Sequence, residues 1–179
     1  MKVIIVYESM FGNTHLIAES IAAGLVSADA RVVPVGQATR EVLAGADLVV
    51  VGGPTHVHGM SRDSTRASAV TMATKPGQEV DLDPDAEGPG LRDWFDALGA
   101  NVRWAAAFDT RAKGSTVLTG QASKGISKRL RKHGFEEILA PCSFFVTKEN
   151  HLQSGEADRA RQWGEQLLAA LKEGLQVGV

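Results

Sequence analysis

Val3-Ile4-Ile5-Val6-Tyr7-Glu8-Ser9-Met10-Phe11-Gly12-Asn13-Thr14 decides the fold class. Its first five residues are apolar and mostly β-branched, which suits a strand covered on both faces, as in a parallel sheet. A polar, glycine-bearing turn follows and opens onto a helical pattern. From Thr14 to about Ser27, Ile17, Ile21 and Leu25 recur at i, i+4 and i+8 and form one core-facing stripe. Strand, turn and helix in that order make the first unit of an alternating α/β chain.

The pattern repeats outward from there. Arg31–Val35, Ala46–Gly53, Val102–Phe108 and Ile138–Val146 read as further strands. Residues 63–75, Leu91–Leu98, Ala122–His133 and Glu156–Lys172 read as helices, the last with Ala160, Trp163, Leu167 and Leu171 in register. The alternation predicts an α/β fold, a doubly wound sheet with helices on both faces. The length of 179 residues suits a single domain over 1–179, large enough to bury a core without disulfides or structural metal.

Composition narrows the function classes. Hydrophobic residues make up 44% and charged residues 22%, as in ordinary globular domains. The net charge of −2 leaves no electrostatic footprint for nucleic acid. The single Cys142 excludes an internal disulfide framework and multi-cysteine zinc clusters. No apolar run approaches the ~20 residues of a membrane span, and the N-terminal run is too short for a signal peptide, so the chain reads as soluble and cytoplasmic.

The turn Ser9-Met10-Phe11-Gly12-Asn13-Thr14 has the makings of a phosphate cradle. It aims consecutive backbone N–H groups and a helix N-terminus at one point, where the unpaired donors and the helix dipole favour an anion. Ser9 and Thr14 add hydroxyl donors, Gly12 lets the backbone approach closely, and Asn13 can cap the helix. The same six residues also suit an ordinary strand-to-helix turn with a polar cap. Neither G-x-x-x-x-G-K-[ST] nor a G-x-G-x-x-G after the first strand is present, which argues against a P-loop and a dinucleotide site.

Tyr-Glu-Ser-Met-Phe-Gly-Asn-Thr after a hydrophobic strand resembles the FMN phosphate loop of flavodoxins, roughly [ST]-x-[ST]-G-x-T. The third strand's ending in Gly-Gly-Pro-Thr and the order of elements agree with that resemblance over essentially the whole chain. It implies a flavodoxin-like sheet of five parallel strands in the order 2-1-3-4-5. It also implies FMN as cofactor, with redox partner proteins or a small-molecule electron acceptor as partners, no nucleic acid or membrane, and a monomer or dimer. Phe11 departs from the pattern, where the family carries Thr or Ser, and removes one side-chain donor to the phosphate.

By the same resemblance, Pro54 and Thr55 lie along the ribityl chain, and His56, Val57, His58 and Gly59 approach the ring. His56 and His58 stand where the family places a large aromatic; a metal reading would need further ligands, and the loop offers none. Asp109, Thr110 and Arg111, in the loop expected after the fourth strand, meet the pyrimidine edge. A cation there, Arg111 or Lys113, favours the anionic reduced flavin and raises the potential; the alternative is that both side chains point to solvent.

Other features carry bland readings. Glu79–Gly90 reads as an exposed acidic loop, with a docking patch as the alternative. Lys124 to Lys132 reads as a solvated helix face, with docking to an acidic partner as the alternative. Trp94, Trp104 and Trp163 read as core or boundary aromatics, Cys142 as a buried apolar residue, and His151 as outside the site. Three functions follow: an electron-transfer protein, a flavin-dependent oxidoreductase reducing a quinone, using NAD(P)H or acting like a porphyrinogen oxidase, and a flavin-free interaction module. No catalytic residue is singled out.

Overall fold

The computed structural model describes residues 1–56, 59–73, 81–99 and 102–177. Strands β1 (Lys2–Tyr7), β2 (Asp29–Pro34), β3 (Leu48–His56), β5 (Trp104–Ala112), β6 (Glu136–Glu137) and β7 (Cys142–Val146) form a parallel sheet, and β4 (Gly59–Met60) folds back antiparallel on β3. The order is β2-β1-β3-β5, with β6 and β7 both pairing with β5. This is the 2-1-3-4-5 order, its last position shared by two short strands. The expected strand Ile138–Val146 therefore starts only at Cys142; Pro141, lacking an N–H, stands at the break.

Two strands run further than their apolar stretches. β3 continues to His56, and β5 continues to Ala112, with Gly53 opposite Asp109 and Pro54 opposite Thr110. Backbone pairing does not require apolar side chains. β1 ends opposite Gly52, so a proline beyond that point breaks no ladder on the β1 side. Residues expected on loops, Pro54 to His56 and Asp109 to Arg111, thus stand on paired strands.

Alternate strand residues feed two cores. Val3, Ile5, Val50 and Phe108 face helices α1 (Asn13–Gly24) and α7 (Glu156–Val177). Ile4, Val6, Val51 and Ala107 face α4 (Leu91–Ala97) and α6 (Ala122–Lys132), with α2 (Arg40–Leu43) and a 3₁₀ turn at Val35–Gln37 beside them. The sheet is buried on both faces, which explains its near-continuous apolar strands. On the first face α1 and α7 meet backbone to backbone: a Cβ on Gly24 would stand 2.0 Å from the Arg161 carbonyl oxygen, and one on Gly164 2.2 Å from that of Ile21.

The helices hold with shifted ends. α1 stops at Gly24 rather than Ser27, α7 runs past Lys172 to Val177, and α3 (Asp63–Ala73) fills most of the expected 63–75; residues 74 and 75 lie outside the described ones. α2 and α5 (Thr116–Thr119) are single turns that periodicity does not register. Trp94 and Trp163 are buried and Trp104 half-buried, as expected. Cys142 is half-buried, with its sulfur 3.5 Å from Arg159 Nη1, and burial raises its thiol pKa. The acidic segment departs most. Asp83 and Ala86 are buried, and Ala86 packs with Met10 and Ala69; Glu79 and Val80 lie outside the described residues.

Candidate functional site

The carboxyl ends of β1, β3, β5 and β7 border a cleft of about 250 Å³. In open α/β sheets this edge is where ligands bind. A larger groove, about 340 Å³, lies between the 3₁₀ turn and α4 beside Trp94, but it gathers none of the candidate residues.

The first wall comes from the turn between β1 and α1. Ser9, Met10, Phe11, Asn13 and Thr14 line it. Gly12, at φ 83°, reverses the chain in the left-handed region, and its N–H donates to Ser9 Oγ at 3.1 Å. The bond from Leu16 N–H to the Gly12 carbonyl is the first of the helical ladder, so the N–H groups of Asn13, Thr14 and His15 precede it at the positive end of α1. Thr14 Oγ1 shares a 2.8 Å hydrogen bond with Thr110 Oγ1 and fixes this wall to β5. Behind the turn, the Met10 carbonyl accepts from Asp83 N–H at 2.9 Å, and His15 stacks on Tyr7 with its Nδ1 3.3 Å from Asp83 Oδ2. The acidic segment is therefore clipped to the back of the turn.

The second wall is built by strand ends: Pro54, Thr55 and His56 from β3, then Thr110, Arg111 and Ala112 from β5. Burial pulls the His56 pKa below its ordinary value, against the opposing charge of Glu8, so the ring is neutral at pH 7. Arg111 is 8% exposed; its Nη1 donates to Thr119 Oγ1 at 2.9 Å and to the Gly114 carbonyl at 3.1 Å, its guanidinium lies 5.0 Å from the Phe145 ring, and its Nε is buried without a partner among the described residues. Lys113 is exposed.

Asp109 is absent from the cleft lining. It is fully buried, and its Oδ2 accepts from Ser123 N–H at 2.8 Å and Thr55 Oγ1 at 2.9 Å; Thr55 Oγ1 in turn accepts from Ala122 N–H at 2.9 Å. The pair caps α6 and locks it to the ends of β3 and β5. Burial raises the Asp109 pKa, against these hydrogen bonds, one from Ser143, and the charge of Arg111. Glu8 makes a similar anchor on the other face, accepting from Ser61 Oγ and, at 2.8 Å, from Leu91 N–H.

Gly59 pairs with His56 in the hairpin of β4, and Val57 and His58 lie outside the described residues. Asn150 and Val146 join the lining without having been anticipated. Asn150 has φ 63°, and its carbonyl accepts from Asn13 Nδ2 at 2.8 Å. Asparagine tolerates that conformation, which was the one available signal in the sequence. His151, next to it, is exposed and outside the lining.

Chemically, one wall offers helix N-terminal donors and two hydroxyls, and the other a neutral imidazole and a buried cation with a free N–H. That donor set fits a phosphate monoester at the first wall and a group bearing hydrogen-bond acceptors or negative charge at the second. No group of three or more His, Cys, Asp or Glu among the described residues can hold a metal, and no described helix is long and apolar enough to cross a membrane.

A family model described as Flavodoxin matches residues 5–170. Among solved structures, an archaeal flavodoxin is 20% identical with a TM-score of 0.62, covering 96% of this chain and 99% of its own. Flavodoxin 1 from Bacillus cereus is 16% identical with a TM-score of 0.64, covering 94% and 98%. A WrbA-like protein from Agrobacterium tumefaciens is 18% identical with a TM-score of 0.58, covering 96% and 98%. No curated protein matches the chain.

Proposed function

Because the chain belongs to the flavodoxin family, whose members bind FMN, we propose that it is an electron-transfer protein holding FMN in the cleft at the strand ends. FMN, when bound, supplies the redox chemistry, and the protein supplies binding, orientation and electrostatics. The observation that carries this reading is the Ser9–Thr14 turn. Its left-handed Gly12 and the N–H groups that precede the helical ladder of α1 stand beside Thr110 and Arg111 at one cleft.

In this reading Ser9, Asn13, Thr14 and the N–H groups at the start of α1 hold the phosphate. Met10 and Phe11 supply apolar contact. Pro54 and Thr55 flank the chain between phosphate and ring, and His56, with its hairpin partner Gly59, borders the ring. Thr110 presents its backbone to the ring's polar edge. Arg111 places a fixed positive charge where the reduced ring gathers negative charge, which stabilises the reduced state and raises the potential. Asp109 acts from behind, holding Thr55 and α6 in place.

A second reading, a flavin-dependent oxidoreductase, draws on His56. A neutral, half-buried imidazole at the cleft can give or take a proton from a substrate over the ring. Turnover of NADH or NADPH with a quinone distinguishes the two: a carrier shows none above free FMN.

The primary test is the visible spectrum of the purified protein before and after addition of FMN, with flavin fluorescence followed on titration. A yellow protein, or quenching at stoichiometric FMN, is expected. A colourless protein that leaves FMN fluorescence untouched overturns the proposal.

A further inference from the structure

We propose that the α6 flank of the cleft is a docking surface for an acidic protein partner, the one that exchanges electrons with the site. This rests on the electron-transfer reading above and adds the partner's chemistry and the face it uses.

Charge is segregated along the chain. From Thr110 to Phe135 there are seven Lys or Arg residues and no Asp or Glu, in a chain of net charge −2. Five of the seven lie on α6. Lys124, Lys128 and Arg131, at i, i+4 and i+7, form one exposed stripe opposite the buried Ile126 and Leu130. Arg131 pairs with Glu137 at 2.5 Å, while Lys124, Lys128 and Lys132 have no carboxylate within 4 Å among the described residues. Three exposed cations on one helix, with no carboxylate partner among the described residues, form a surface complementary to carboxylates.

The stripe is attached to the cleft. α6 starts at Ala122, whose N–H donates to the cleft residue Thr55. Around the β3–β4 hairpin Arg62, Arg92 and Arg129 gather, with the exposed carboxylates of Asp63 and Asp93 beside Arg62 and Arg92. Arg92 donates from Nε to the Ser61 carbonyl at 2.7 Å and from Nη2 to the Met60 carbonyl at 3.2 Å, and Arg129 Nη1 lies 3.5 Å from Met60 Sδ. Burial lowers the Arg92 pKa, and the charges of Arg129 and Arg62 lower it further; Glu8 and Asp96 oppose them. The guanidiniums are thus held in mutual proximity beside the hairpin that carries His56.

The opposite flank has the opposite sign. Asp81, Asp85 and Glu87 are exposed on the segment clipped to the Ser9–Thr14 turn through Asp83. Exposed charge is thus basic along α6, which starts against the cleft residue Thr55, and acidic on the segment behind the Ser9–Thr14 turn. A continuous polyphosphate laid across both would meet its own sign, whereas a protein face with carboxylates over α6 matches the helix. Opposed potentials of this kind set orientation and association rate.

The experiment uses the 179-residue chain loaded with FMN and a fluorescein-labelled oligoglutamate peptide, with binding read by anisotropy over a range of salt. Binding that weakens as salt rises is expected. K124E/K128E is expected to weaken it by about tenfold or more, and K124Q/K128Q by less. R161E/K172E, which reverses two charges on α7, is expected to leave it unchanged. Circular dichroism confirms that each variant is folded, since exposed substitutions of this kind cost within about 0.5 kcal/mol.

Three results overturn the proposal. K124E/K128E binds like the original chain; R161E/K172E weakens binding equally, so that net charge alone matters; or an oligothymidylate of equal charge binds more tightly than the peptide. FMN quenching on the same samples reports the electron-transfer reading separately, so failure of one is visible apart from failure of the other.

Discussion

The two walls of the cleft are made differently. One is a turn into a helix: its donors come from the backbone of α1, and the left-handed Gly12 aims them. The other is made of strand ends carried past their apolar stretches, with side chains doing the work and a buried carboxylate, Asp109, holding them from behind. The first wall depends on backbone conformation, the second on buried polar bonds. They are joined by one hydroxyl pair, Thr14 with Thr110. The difference teaches where each is vulnerable: the helix wall to a change of φ, the strand wall to loss of a buried hydrogen-bond acceptor or of a charge.

The strongest break is Gly12→Val. A Cβ at this position meets nothing within 4 Å, so the cost is conformational alone. A β-branched residue in the left-handed region costs about 2–3 kcal/mol, or else the turn flips and the donors of α1 are re-aimed. FMN retention is expected to be lost, read by fluorescence titration. Retention undiminished by this substitution places the phosphate elsewhere and removes the distinction between the walls.

Next is Asp109→Ala. It strips Ser123 N–H and the Thr55 hydroxyl of their acceptor and uncaps α6, with an expected loss of about 2 kcal/mol in urea unfolding. The pH dependence has a definite sign. Burial raises the Asp109 pKa in the fold above its unfolded value, so its contribution is fully present below the unfolded value and is lost as pH rises through the raised one. The original chain should therefore gain on Asp109→Asn as pH falls from neutral into the carboxylate range. A stability difference that does not change with pH would show that Asp109 carries no such linkage.

These two residues also mark what the sequence discloses. Gly12 was legible, because a glycine between hydroxyl residues ahead of an amphipathic stretch has one geometric reading. The sheet order followed from the alternation of elements together with the family resemblance. Asp109 pointed the wrong way: one strand position turns a side chain from one face to the other, and a strand end placed four residues early hides which face it takes. The same early ending put Pro54 to His56 on a loop. The acidic segment looked solvated because composition cannot register that Asp83 N–H bonds to the Met10 carbonyl. Asn150 joins the cleft through a turn far along the chain, which spacing cannot predict.

A smaller effect sharpens the strand wall. Arg111→Gln keeps much of the side chain's volume and a donor for Thr119 but removes the charge. With an effective dielectric of about 20 at a partly buried site, the reduced flavin should lose on the order of 1 kcal/mol of stabilisation. Potentiometry is expected to give a lower midpoint potential with FMN affinity of the oxidised form nearly unchanged. A potential that does not move removes Arg111 from the flavin's surroundings and leaves it as a loop anchor.

The mildest change tests the helix wall from the gain side. Phe11 stands where the family pattern has a hydroxyl, and its half-buried ring packs against the Met10, Ala69 and Ala86 cluster. Phe11→Thr therefore has two effects of opposite sign. It adds a donor to a turn whose backbone is already in place, worth about 1 kcal/mol to a bound phosphate or a severalfold tighter FMN. It also removes apolar contact with the acidic segment, so the FMN-free protein should melt at a slightly lower temperature. If affinity and stability fall together, Phe11 serves the turn by packing it, and this chain holds its wall by apolar contact where the family pattern uses a hydroxyl. If affinity rises while stability falls, the backbone donors alone define the wall, and the ring at Phe11 is the clamp that ties the acidic segment to it.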